Sequence, residues 1–203
     1  MIKKQKKGFA QHHSDAGFSQ NTTSVREVKK KSGAGFTLIE LLVVIAVIGM
    51  ISSIVLVALG PVRARSRDTK RIAEVRQLSL IFEQEATDLS TRALATPCNA
   101  AYIDISTCVT TGFTVTSGVN FTAFKDPSTT GTSCKGTASG TQSTSTCQYS
   151  VSRENGAGGA TVGDYQICFY LEQAASGTGL VAGLNSIYSS PTAGGGNFRS
   201  SCK

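Results

Sequence analysis

A 24-residue run from Phe36 to Leu59, FTLIELLVVIAVIGMISSIVLVAL, carries a single charge and constrains this chain more than any other feature. As a helix rising 1.5 Å per residue, about 20 such residues cross a hydrocarbon core of roughly 30 Å. A helix apolar on every face has no place in the core of a small soluble head, where one face must stay wet. A secretory signal peptide has an apolar region of about 7 to 15 residues and then a small-residue cleavage site. This run is longer and continues into Pro61 and a cluster of arginines. It therefore reads as one membrane-spanning helix retained in the mature protein.

The chain has 203 residues and a formal net charge of +7, which leaves room for one ordinary domain beyond the span. Residues 1–35 hold 8 Lys/Arg against 2 Asp/Glu, and residues 36–203 hold 12 against 11. The nearly neutral remainder offers no broad electrostatic footprint for a nucleic-acid backbone. Six cysteines, Cys98, Cys108, Cys134, Cys147, Cys168 and Cys202, are separated by 9, 25, 12, 20 and 33 residues, and both histidines, His12 and His13, lie far from them. Zinc ligation needs pairs two to four residues apart and usually some histidine, so an even, widely spaced set reads as disulfides formed outside the cytoplasm. Six cysteines allow about 15 connectivities. Lys29 to Lys31 precede the span and Arg63, Arg65, Arg67, Lys70 and Arg71 follow it, so counting positive charges does not orient it. The cysteines do: the expected topology is N-in, C-out.

From Arg63 to Leu94 the apolar residues Ile72, Val75, Leu78, Phe82, Ala86, Leu89 and Ala93 recur every three or four positions, the spacing of an amphipathic helix. The helix is expected to run from Phe36 to about Leu94, with the basic residues, Arg71 and Arg76 among them, on a solvated or subunit-facing side. Gly49 and the Gly60-Pro61 pair are its weak points, because proline cannot donate to the carbonyl of Val57 and glycine lowers helix propensity. Beyond Pro97 come short β-rich runs: Tyr102–Ile105, Phe113–Val115, Val119–Phe124, Cys147–Val151 and Tyr165–Leu171. They predict an antiparallel sheet of three to five strands. The glycine clusters at 156–159 and 194–196 read as loops. The fold class is α+β, a long N-terminal helix on a small disulfide-bonded sheet. The expected pairing is Cys98–Cys108, Cys134–Cys147 and Cys168–Cys202, each closing a local loop or tying the tail to the last long strand.

Lys31-Ser32-Gly33-Ala34-Gly35 followed by Phe36-Thr37-Leu38-Ile39-Glu40 resembles the class III signal sequence of bacterial type IV pilins and pseudopilins. The resemblance implies that a prepilin peptidase cuts between Gly35 and Phe36 and methylates the new N-terminus of Phe36. It implies that Glu40 pairs with the N-terminal amine of a neighbouring subunit, and that Gly49, Gly60 and Pro61 mark where the helix kinks or melts on assembly. The partners it implies are further copies in a helical filament, the peptidase, an inner-membrane platform with its assembly ATPase, minor pilins, and membrane lipid before assembly. The organisation it implies is a leader, 1–35, removed on processing; a membrane and filament-core helix, 36–60; an amphipathic helix, 61–95; and a head, 96–203. The leader is longer than most in the family. Its Lys6-Lys7-Gly8-Phe9 partly copies the motif without an apolar run after it, and a translation start near Val25 or Val28 is the alternative.

No histidine remains for the head and no nucleophile motif is present, so an enzyme is not expected. No cofactor is expected either. Asp104, Asp126 and Asp164 read as turn formers, with a calcium site as the alternative, since related pseudopilin heads bind calcium but these residues do not match an EF-hand loop. The function that follows is a structural subunit of a type IV pilus or pilus-like filament. A pseudopilin of a secretion or DNA-uptake machine and an unprocessed anchored adhesin are the alternatives.

Overall fold

The computed structural model describes residues 35–89, 91–109, 111, 113, 115–129 and 131–203. The leader, with His12, His13, Gly8, Phe9 and Lys29 to Lys31, lies outside the described residues apart from Gly35. The chain divides into two compact units after Ile45. One helix, α1, spans Leu38–Leu89, and five strands follow: β1 Ile103–Asp104, β2 Ser150–Ser152, β3 Tyr165–Leu171, β4 Gly183–Ser190 and β5 Gly194–Arg199. The strands form one antiparallel sheet in the order 1-2-3-4-5.

The centre of the sheet follows from alternation along β3. Tyr165, Ile167, Phe169 and Leu171 face α1 and pack with Val75, Leu78 and Phe82 in the main core. Cys168 faces the other way, into a second cluster with Tyr102, Cys134, Cys147, Leu184 and Cys202. One face of the sheet is thus covered by the helix and the other by disulfide-bearing loops. Register places Ile167 between Val151 and Ile187, and Ile187 beside Phe198.

Within this frame the helical stripe divides. Val75, Leu78 and Phe82 are buried, while Ile72 and Ala86 are partly covered. The helix ends at Leu89, short of the expected Leu94. Ala93 bridges Thr161 instead, and the Leu94 N–H donates to the Ala160 carbonyl at 3.0 Å. Pairing to the head satisfies backbone groups that a further helical turn would have satisfied internally.

Other expectations are corrected. Phe113 and Val115, the described residues of Phe113–Val115, lie outside strands, and Val119–Phe124 is no strand either: Phe121–Ala123 is a 3-10 turn capped by Asn120, whose side chain accepts from the Thr122 N–H. Phe113 and Phe121 hold to Phe82 through ring contacts at centroid distances of 6.4 and 6.0 Å, so side-chain packing replaces a ladder there. Tyr102–Ile105 contributes two residues of strand and then turns into a 3-10 helix. The glycines at 194–196 belong to edge strand β5, and β4 was not foreseen. The glycines suit β5 because Glu83 of α1 lies against it; a Cβ added at Gly195 would sit 2.6 Å from the Glu83 Cδ. Arg71, expected on a wet face, is fully buried.

Candidate processing and assembly site

The first turn of α1 is closed by Thr37 and Glu40. The Thr37 hydroxyl oxygen accepts from the Glu40 N–H at 3.3 Å, and Glu40 Oε2 accepts from the Thr37 N–H at 2.8 Å. The Thr37 hydroxyl also donates to Glu40 Oε2 at 2.8 Å. This is a reciprocal capping box: each residue satisfies a backbone donor that the helix itself cannot. A carboxylate in the first turn also complements the positive end of the helix dipole. The signature Thr-x-x-Glu before an apolar run is readable in the sequence, where Glu40 stands out for its charge and its place in the motif and not for a cap.

Gly35 and Phe36 precede this cap outside the helix, and Phe36 is 90% exposed. A peptide bond in non-helical, exposed backbone is open to a peptidase, whereas one inside a capped helix is not. With Ile39, Val43 and Val44, the Phe36 ring and Glu40 line a shallow apolar hollow. Every residue from Phe36 to Ala58 is exposed, and α1 is the one helix among the described residues long and apolar enough to cross a membrane. Gly49, Gly60 and Pro61 all lie inside α1, which continues through them.

Further along, α1 is joined to the head by charge. The Arg71 Nε and Nη2 donate to the two carboxylate oxygens of Asp126 at 2.6 and 3.0 Å, and Nη1 donates to Asp68 and Glu172 at 2.6 and 2.8 Å. Ser128 also accepts from Nη2. Arg67 clamps Glu172 through both carboxylate oxygens, at 2.7 and 2.5 Å. Asp68 in turn accepts the N–H groups of Glu172 and Gln173 at 3.0 and 2.8 Å. Burial works against the charge on Arg71, but the hydrogen bonds to Asp126, Glu172 and Asp68 outweigh it and raise its pKa. The hydrogen bond from Arg67 holds Glu172 down to about 2, with burial opposing and Arg71 adding to the fall. Tyr149 donates to Glu74 at 2.7 Å, and burial followed by that carboxylate pushes its phenol up. A second helix carboxylate, Glu85, accepts from the N–H groups of Val115 and Thr116 at 3.0 and 3.1 Å.

The cysteines are brought together as Cys98–Cys108, Cys134–Cys147 and Cys168–Cys202. The aspartates are not brought together. Asp126 is bound by Arg71, Asp164 by Arg153, and Asp104 accepts from the Ser106 N–H. Among the described residues no group of three or more His, Cys, Asp or Glu is placed to hold a metal ion.

Residues 30–56 match the family model for the prokaryotic N-terminal methylation motif, the prepilin-type motif of type IV pilins and pseudopilins. No curated protein matches the chain, and no solved structure does. The chain is similar to pilins and pseudopilins in this N-terminal motif, which opens an apolar helix that can serve as a single membrane anchor and is followed by a disulfide-braced α+β head.

Proposed function

We propose that the chain is the precursor of a filament subunit, cut between Gly35 and Phe36, N-methylated on Phe36, and polymerised through the helix that begins there. The observation that carries this reading is the exposed apolar surface from Phe36 to Ala58 beginning at a methylation motif. Such a surface is stable only when covered, first by lipid and then by identical helices in a fibre core. Cleavage would place a new amine on the residue directly before the capping box. In the cap only Glu40 Oε2 is engaged by Thr37, which leaves Oε1 for the amine of a neighbouring copy. The head faces the oxidising side, where its disulfides form. The subunit's role is structural; the peptidase, an assembly platform with its ATPase, and minor pilins supply the chemistry and the work.

Mass spectrometry of the N-terminal peptide tests this in two samples, material sheared from the cell surface and washed membranes. N-methylated Phe36 in the sheared sample is the expected result. The same peptide confined to membranes would assign the chain to a pseudopilin, and an intact Gly35–Phe36 bond in both samples would leave an unprocessed anchored protein.

A further inference from the structure

Just beyond the apolar run lies a cleft that neither processing nor assembly uses. It sits between α1 and the segment after β3, encloses about 320 Å³, and is lined by Arg65, Asp68, Thr69, Ile72, Gln173 and Ser176, among others. Arg65 Nε donates to Gln173 Oε1 at 3.1 Å. A neutral amide orients the guanidinium without cancelling its charge. The carboxylate in the cleft, Asp68, is already satisfied by Arg71 and by the backbone N–H groups of Glu172 and Gln173. The basic residues here divide by position. Arg67, Lys70 and Arg71 are ion-paired within the chain, to Glu172, Glu74 and the Asp126 cluster. Arg63 and Arg65, the two nearest the apolar run, have no ion-pair partner among the described residues.

Their position matches a membrane surface. Along a helix, Arg63 and Arg65 stand about 6 and 9 Å beyond Leu59, while the headgroup region on each side of a bilayer is roughly 5 to 7 Å thick. Side chains on an α-helix lean toward its N-terminus, which here is back toward the apolar run. Below the cleft, Val55, Leu56 and Val57 are exposed and apolar. We propose that this cleft seats the headgroup of an anionic phospholipid, with Arg65, the one unpaired arginine that lines it, binding the phosphodiester while the acyl chains lie along Val55 to Leu59. This rests on the membrane-spanning reading of Phe36 to Leu59. The bound lipid fixes the depth of the unassembled subunit and must be released when the subunit leaves the membrane.

The test uses the full chain in phosphatidylcholine vesicles containing a minority of phosphatidylglycerol, with spin-labelled lipids of both kinds reporting which are held at the protein surface. Phosphatidylglycerol is expected to be enriched over phosphatidylcholine by about fivefold for each arginine engaged at low salt, and less at high salt. Arg65→Gln abolishes the enrichment, Gln173→Leu weakens it, and Lys135→Gln, an exposed cation elsewhere on the head, leaves it unchanged. Equal enrichment in Arg65→Gln, or no response to Gln173→Leu, overturns the site. Displacement of the lipid by inorganic phosphate also overturns it, in favour of a small-anion site. A chain extracted from the vesicles by alkaline carbonate would overturn the membrane-spanning reading and this site with it, whereas an inserted chain with no lipid preference overturns the site alone.

Discussion

Glu40 closes the first turn of α1 and, in the proposed filament, would pair with an N-terminal amine through the same carboxylate. Its oxygen completes the cap with Thr37, and its charge is what an N-terminal amine in an apolar fibre core would need, since an unpaired charge there is costly. Two substitutions separate the roles: Glu40→Gln keeps an acceptor for the Thr37 N–H without the charge, and Glu40→Ala removes both. Both are expected to abolish sheared filaments while cleavage after Gly35 continues, read from filament yield and the mass of the N-terminal peptide. Normal yield from Glu40→Gln would confine the residue to the cap. Glu172 makes a different prediction. Its carboxyl is held down to about 2 from an ordinary 4.5 by Arg67, with Arg71 assisting. A folded-state pKa below the unfolded one stabilises the fold fully above the ordinary value, and that stabilisation drains as pH falls from about 4.5 toward 2. The urea midpoint of the head is therefore expected to drop through that window, and less steeply in Glu172→Gln. An identical acid limb in the variant would remove Glu172 from the clamp. Neither Arg71's burial nor its partners in the head were visible in sequence: Asp126 and Glu172 are 55 and 101 residues away. A basic residue among basic neighbours reads as a solvated face until three carboxylates from different segments converge on it.

At the scale of elements, α1 and β3 were legible because their signals are local. The three-to-four spacing of Val75, Leu78 and Phe82 marks the buried face of a helix, and β3 spans the predicted Tyr165–Leu171. β5 was not legible, since Gly194 to Gly196 has the composition of a loop. Only the approach of Glu83 makes the absence of a side chain at Gly195 useful. Gly195→Ala would put a Cβ 2.6 Å from the Glu83 Cδ; because Gly195 is exposed and the end of the Glu83 side chain can swing aside, the expected cost is less than about 1 kcal/mol. Adding Glu83→Ala should recover most of the loss, which a double-mutant cycle of denaturation free energies measures. Purely additive effects would show that β5 tolerates the methyl group without meeting the helix. The Phe113 and Phe121 segments failed as strands for a related reason: aromatic enrichment fits a strand and a ring cluster equally well, and contacts with Phe82 decide between them.

On the scale of the whole molecule, the disulfides act on a head whose loops bring little apolar surface. Cys168–Cys202 ties the C-terminal tail to the central strand across 34 residues, whereas Cys98–Cys108 spans 10. Because a longer closed loop removes more entropy from the unfolded chain, Cys168→Ser with Cys202→Ser is expected to destabilise by about 1 kcal/mol more than Cys98→Ser with Cys108→Ser. Equal losses, measured by urea denaturation, would mean that native-state packing around the bridges outweighs loop closure. What the sequence by itself determined was the apolar span and its methylation motif, a disulfide-bonded head, the helix stripe and the central strand. Each is a matter of composition or of spacing within a few residues, where backbone geometry alone decides which side chains share a face. The tertiary structure decided the burial of Arg71, the addition of β4 and β5, the ring cluster around Phe82 and the cleft at Arg65. The Arg71 cluster and the cleft depend on groups 55 to 108 residues apart, the strands and rings on pairings across turns and loops, and a charge or a glycine takes its meaning there from neighbours that only the folded chain supplies.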